Sequence, residues 1–302
     1  MGIKLYKEPR LDKPIMFVGW PGIGSIGIIA VNTLKNMFRA EELGEIESWD
    51  FFYPRKVSIK DGLLEDLEFP SNKFYYQRIG NKDFIFFIGE EQPGEGRRMY
   101  ARGDKAYQMA NLVLDVGIKF GCQRVYTSGA CVSHIHHRMR SRVCAVVSSE
   151  ELIKEVKNYQ NTILMSELEE RREGEGIITG LNGLLLGVAK AREMEGICLM
   201  GEIPDWLSGA SFPYPKASKS VLEVFAEILN MEMDLGFLDE MERQVEKIIE
   251  GFYEKFPQEM KEEYDQRKLI TQGKPGTITV QAQIYIDERY KKGGEGNGEG
   301  PS

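Results

Sequence analysis

Four groups of residues in this chain have types and spacings that chemistry uses. The first is Gly22-x-Gly24-x-x-Gly27, which matches the dinucleotide fingerprint, with Glu47 and Asp50 near where that motif places its ribose carboxylate. Its chemistry would be a pyrophosphate held at a helix N-terminus, with glycines letting the backbone approach. Trp20 and Pro21 stand between the preceding apolar run and the first glycine, where the fingerprint wants a direct, tight turn. The same residues therefore also read as a turn that lets a helix pack close to a strand. The second group is Glu90, Glu91 and Gln92 with Arg97, Arg98 and Arg102, at the carboxyl end of an apolar run. Open α/β sheets bind ligands at such ends; the competing reading is a salt-bridged, solvated loop. Third, all three histidines fall within Cys131-Val132-Ser133-His134-Ile135-His136-His137. An extended segment would put His134 and His136 on one face, but no flanking carboxylate supplies a third ligand, and Arg138, Arg140 and Arg142 repel a cation. A polar surface or interface loop, without metal, is expected. Fourth, Ser128 and Cys131 are expected in a loop after a strand, where nucleophiles often sit. There is no G-x-S-x-G elbow, and the histidine cluster offers Cys131 its local base. No catalytic residue and no cofactor is assigned. A ligand-binding reading would use Gly22, Gly24, Gly27, Glu90, Gln92 and Arg98.

The elements that must position these groups alternate. Ile15 to Trp20 is a short apolar run, followed by the glycine loop and a helix over Ile28 to Phe38 with Ile28, Val31, Leu34 and Phe38 on one face. Asp83 to Ile88 reads as a buried strand. Asp104 to Lys119 reads as a helix with Ala106, Met109, Ala110, Val113 and Leu114 inside. Arg124–Thr127, Val143–Val147 and Ile197–Met200 read as further strands, and Gly183–Ala191 and Ala217–Leu229 as helices. Strands alternating with helices imply an α/β class, with helices packed on a mixed or mostly parallel central sheet.

Composition sets limits on partners. The chain has 302 residues, and 39 Lys plus Arg against 47 Asp plus Glu give a formal charge of −8. Nucleic acid and anionic membrane both need a positive footprint, so neither is an expected partner. No stretch approaches the ~18 apolar residues of a membrane span, and the first residues carry no signal-peptide run. Four cysteines (Cys122, Cys131, Cys144 and Cys198) without a C-x-x-C pair read as reduced thiols, and a cytoplasmic location is expected.

The charge is not spread evenly. Residues 223–266 carry 14 acidic and four basic residues, which leaves the remainder close to neutral. Within that region Leu238, Met241, Val245, Ile248 and Phe252 recur at spacings of three and four, a heptad-like stripe on an otherwise charged helix. Pro257 breaks the pattern. Further on, Ile278, Val280, Ala282, Ile284 and Ile286 alternate with polar residues, the pattern of a half-buried strand. Both the stripe and the strand could pack on their own domain or on another subunit. The expected organisation is an α/β core over 1–236, an acidic helical extension and terminal strand over 237–290, and a Gly-rich tail over 291–302 whose composition predicts disorder.

Three ordered blocks carry a more specific signal. They are Gly19-Trp20-Pro21-Gly22-Ile23-Gly24-Ser25-Ile26-Gly27, Gly176-Ile177-Ile178-Thr179-Gly180-Leu181-Asn182-Gly183-Leu184-Leu185-Leu186-Gly187, and Leu199-Met200-Gly201-Glu202-Ile203-Pro204. Pro215 to Leu222 extends them. Over about residues 10 to 245 the chain resembles the proteasome assembly chaperone 2 family, particularly its archaeal members. The resemblance implies a fold related to purine nucleoside phosphorylase, with no established catalytic residues. It also implies homo-oligomers, pairing with related chaperone subunits, and proteasome core-particle subunits as clients. Some relatives dock on the α-ring through a C-terminal hydrophobic-Tyr-any-residue tail. This chain departs there, ending Gly300-Pro301-Ser302 with Ile286 and Tyr290 internal, so that docking mode is not expected of it. The reading is a protein-binding assembly factor; the alternative is a nucleotide- or nucleoside-binding enzyme built on Gly22–Gly27 and Glu90–Arg98.

Overall fold

In the computed structural model, which describes residues 2–94, 103–168 and 176–271, the chain builds a nine-stranded mixed sheet with helices on both faces. The strands are β1 (Ile3–Leu5), β2 (Ile15–Gly19), β3 (Glu41–Ile46), β4 (Lys56–Lys60), β5 (Leu63–Glu68), β6 (Asn72–Ile79), β7 (Lys82–Gly89), β8 (Arg124–Ser133), β9 (Val143–Val147), β10 (Thr162–Leu164) and β11 (Glu195–Pro204). The helices are α1 (Ile26–Met37), α2 (Asp104–Lys119), α3 (Glu150–Val156), α4 (Gly180–Ala191), α5 (Pro215–Leu229), α6 (Gly236–Tyr253) and α7 (Gln258–Thr271). Spatial order is β1-β3-β6-β7-β2-β8-β11-β9-β10, and β4 pairs with β5 in a separate hairpin. The centre, β7-β2-β8-β11, is parallel, while β1, β3 and β6 run antiparallel on one flank. On the other flank β9 runs antiparallel to β11 and parallel to β10.

The period-two geometry of a strand divides the core in two. Phe17, Phe84, Phe86 and Tyr126 point to one face, where α1, α5 and α6 cover them. Met16, Val18, Ile85 and Phe87 point to the other, under α2 and α4. Central strands buried on both faces need apolar residues at every position, which is why Ile15–Val18 of β2 and Phe84–Ile88 of β7 read as unbroken apolar runs. On the first face Phe17 stacks on Tyr126 with ring centroids 5.2 Å apart and meets the edge of Phe225 at 5.0 Å.

The α2 helix has the bounds and the inner face that its spacing predicts: Ala106, Met109, Ala110, Val113 and Leu114 are all fully buried. The α1 helix begins earlier than expected. Its buried face is Ile26, Ala30, Val31 and Leu34, continued by Phe38, while Ile28 is only half-buried. The β8 strand runs to Ser133, so Ser128 and Cys131 lie inside a strand and are buried, not on a loop. The antiparallel strands β3 to β6 have no counterpart in the sequence reading. The Ile278, Val280 and Ile284 strand, the 291–302 tail and Arg97, Arg98 and Arg102 lie outside the described residues.

Candidate functional site

The glycine loop leaves the carboxyl end of β2, and its glycines do different work. Gly24 has φ of 58°, a left-handed conformation that favours glycine, and is buried beneath Tyr214 and Ile203. Its carbonyl accepts the Tyr214 N–H at 2.7 Å, which ties the loop to the start of α5. Gly27 lies against the backbone of β8; a Cβ there would overlap the Ser128 carbonyl oxygen. These two glycines let α1 and α5 close on the sheet. The N–H groups of Ser25 and Ile26 are given to the carbonyls of Gly22 and Ile23, so part of the helix terminus that would face a pyrophosphate is already engaged.

Gly22 alone of the three opens onto space. With Ile23, Gln92, Gly129–Val132, Thr179, Asn182, Cys198 and Met200 it lines a cavity of about 160 Å³ at the carboxyl ends of the central strands. Gln92 links the glycine loop to α4 beside the cavity. Its Nε2 donates to the Pro21 carbonyl at 2.6 Å and its Oε1 accepts the Leu181 N–H at 3.0 Å, capping α4 from outside. Asn182 donates to the Ser128 carbonyl at 2.6 Å, and its buried Oδ1 has no hydrogen-bond partner among the described residues. Glu90 points elsewhere: with Glu91 it holds Arg55, at 2.8 and 2.7 Å, on the surface. The structure thus brings Gly22 and Gln92 together and sets Gly24, Gly27 and Glu90 apart from them.

The nucleophile candidates Ser128 and Cys131 are buried within β8, beside two further buried thiols. Burial pushes the Cys198 thiol up to about 12. A hydrogen bond with Cys131, reinforced by burial, raises Cys144 well above its ordinary value. Among the described residues no group of three or more His, Cys, Asp or Glu converges as a metal site. The histidines meet carboxylates: His134 meets Asp205 at 2.9 Å, His136 meets Asp265 at 3.3 Å and His137 meets Glu250 at 3.2 Å.

The histidine segment corrects the expectation of a surface loop, because His136 and His137 are buried. They form a seam between the end of β8 and the C-terminal helices. The two imidazoles lie 4.3 Å apart, with the Tyr253 ring 4.5 Å from His137. Burial, then the neighbouring His136, lowers the His137 pKa to about 4. Arg138 clasps Glu250 through two bonds of 2.8 and 2.7 Å, and this hydrogen bonding chiefly holds the carboxyl at about 2. The Lys216 ammonium donates to the His137 carbonyl at 2.8 Å and reaches Glu246 at 2.5 Å. Behind the seam, Arg142 makes a two-pronged pair with fully buried Glu202 of β11, at 2.7 and 2.9 Å.

Part of the acidity of residues 223–266 is paired against the α/β core. Glu250, Glu246, Asp239 and Glu223 pair with Arg138, Lys216, Lys219 and Arg140 of the core. The apolar stripe of α6 divides in the same way. Leu238 and Val245 are buried in the core, Met241 packs against it, and Ile249 and Tyr253 continue the inner face. Ile248 and Phe252 fall on the outer side and stay about half exposed. A period of 3.6 carries a helical face off a 3–4 heptad within three turns, and tracking that drift along the sequence would have found Ile249 and Tyr253.

A nine-stranded mixed sheet sandwiched by helices, with a glycine loop clamped by α5 and a helical C-terminal part, defines the fold class. The PAC2 family profile matches residues 16–252. The chain is 32% identical over 254 residues to the uncharacterized protein MJ1210 of Methanocaldococcus jannaschii, covering 84% of this chain and 87% of that one. Among solved structures it is similar to PbaB of Pyrococcus furiosus, an archaeal proteasome activator, with 30% identity and a TM-score of 0.66 over 83% of this chain and 98% of that one. The fold is shared with PbaA of Pyrococcus furiosus, an archaeal homolog of proteasome-assembly chaperone, at 21% identity and TM-score 0.58, covering 82% and 95% of the two chains. The chain belongs to the PAC2 family. Among the described residues no helix is long and apolar enough to cross a membrane.

Proposed function

We propose that this protein binds protein subunits and assists or regulates assembly of a proteasome-type complex without catalysing a reaction, in the cytoplasm and as a homo-oligomer or with related subunits. The observation that carries the reading is the similarity to PbaB across most of both chains. Two features of the chain support it. The nucleophile and base candidates are occupied in packing or ion pairing, and the glycine loop is engaged by α5 and β8. Affinity capture of the tagged full chain from native lysate, read by mass spectrometry, tests it. Recovery of core-particle subunits or related chaperones is expected; their repeated absence would count against the proposal.

The second reading, a nucleotide- or nucleoside-type ligand, rests on the strand-end cavity and on the Asn182 Oδ1, which has no partner among the described residues. Thermal-shift screening separates the two: saturable stabilisation by a nucleoside, lost in Asn182→Leu, would favour it.

A further inference from the structure

The β4–β5 hairpin stands outside the main sheet. Its register pairs Val57 with Leu67 and Ile59 with Leu64, which puts four apolar side chains on one face. All four are exposed, Ile59 by 68% and Leu64 by 73%. Neither strand pairs with any other among the described residues. A lone two-stranded hairpin is marginal in water, and an uncovered apolar face of this kind marks an interaction surface. The root is nonetheless fixed. Arg55 holds Glu90 and Glu91 at the exit of β7, Ser48 Oγ donates to the Pro70 carbonyl at 2.6 Å, and Trp49 meets Phe69 with ring centroids 4.6 Å apart. A pinned root with bare strands presents the hairpin in a defined direction.

Charge says what covers it. The β4 strand carries Lys56 and Lys60, and β5 carries Glu65, Asp66 and Glu68. The two edges of one hairpin are therefore opposite in sign. Pairing β4 with β4, or β5 with β5, across a two-fold axis would set like charges together. Pairing β4 of one copy with β5 of the next sets lysines against carboxylates and satisfies the unpaired backbone of both edges. Such a contact is head-to-tail, and when its rotation closes it makes a ring in which every copy uses both edges.

We propose that the hairpin joins copies of this chain head-to-tail, β4 of one against β5 of its neighbour, with the Val57–Ile59–Leu64–Leu67 face buried in the resulting ring. This rests on the homo-oligomer of the proposed function and names its interface; client capture is read by a separate experiment, so the failure of one is distinguishable from the failure of the other.

The test is the mass of the full chain by light scattering and native mass spectrometry. Wild type is expected as a discrete oligomer. Lys56→Glu/Lys60→Glu makes both edges acidic, and Glu65→Lys/Asp66→Lys/Glu68→Lys makes both basic; each alone should be monomeric. All substituted residues are exposed, so unchanged circular dichroism and melting show that the domain stays folded; because Lys56 lies opposite Glu68 within the hairpin, recovery of association on mixing is what shows that the hairpin itself survives in each variant. Mixing the two variants should restore an oligomer with an even number of subunits that alternates between them, and carrying both sets in one chain should restore self-association. A monomeric wild type, charge variants of unchanged mass, or variants that stay monomeric when mixed would each overturn the proposal.

Discussion

Two pairs of β-strands in this molecule have opposite circumstances. In the middle of β2 and β7 the apolar side chains are covered, Phe17 and Phe86 under α1 and α5, Val18 and Phe87 under α2 and α4. In β4 and β5 the apolar side chains face solvent. The first pair is complete within one chain, while the second calls for another. The histidine seam is a third case, buried like the core but built from ion pairs like the surface. The chain thus holds itself together in two ways, one indifferent to pH and one titratable, and leaves a third surface open.

Substitutions sharpen the contrast. Phe17→Ala removes a ring that touches four others on the covered face and should cost about 3–5 kcal/mol in urea unfolding. Glu202→Ala strands Arg142 beside β11 and should cost about 3 kcal/mol by the same measurement, whereas breaking an exposed pair such as Lys7–Glu41 should leave the midpoint unmoved.

Acid should act on the seam before the core. The folded pKa of His137, about 4, lies below its ordinary 6.5, and that of Glu250, about 2, lies below 4.5. Undocked helices therefore bind more protons than docked ones. The contribution of His137 is whole above pH 6.5 and is lost on descent to 4; that of Glu250 is whole above 4.5 and is lost on descent to 2. Amide exchange in α6 should accelerate over that range while exchange in β2 stays slow.

The smallest contrast lies within α6. Ile249→Ala should cost about 2–4 kcal/mol and Ile248→Ala under about 0.5 kcal/mol, because the first is buried and the second is half exposed. Equal costs would mean that α6 does not dock as described.

The sequence made the central sheet legible because its strands are buried on both faces and its helices are amphipathic. Asp104–Lys119 and Val143–Val147 were readable to the residue. The β3 strand, Glu-Glu-Leu-Gly-Glu-Ile, was not, because an edge-side strand with charged residues has no apolar run to mark it. The hairpin escaped for a related reason: Leu63-Leu64-Glu65-Asp66-Leu67-Glu68 alternates imperfectly across a bulge. At the candidate site Gly22 and Gln92 were found, but the role of Asn182 depends on α4 meeting β8, a contact between residues 54 apart that no local pattern announces. The burial of His136 and His137 was hidden similarly. Their carboxylate partners lie more than 110 residues away on α6 and α7.

Reconstitution tests the proposed assembly function most directly. Core-particle α- and β-subunits would be assembled with and without the full chain and followed by native mass spectrometry. Intermediates containing the chain, together with an altered rate or yield of assembled particles, are the expected result. Assembly at the same rate to the same products, with no complex containing the chain at any stage, would contradict the account.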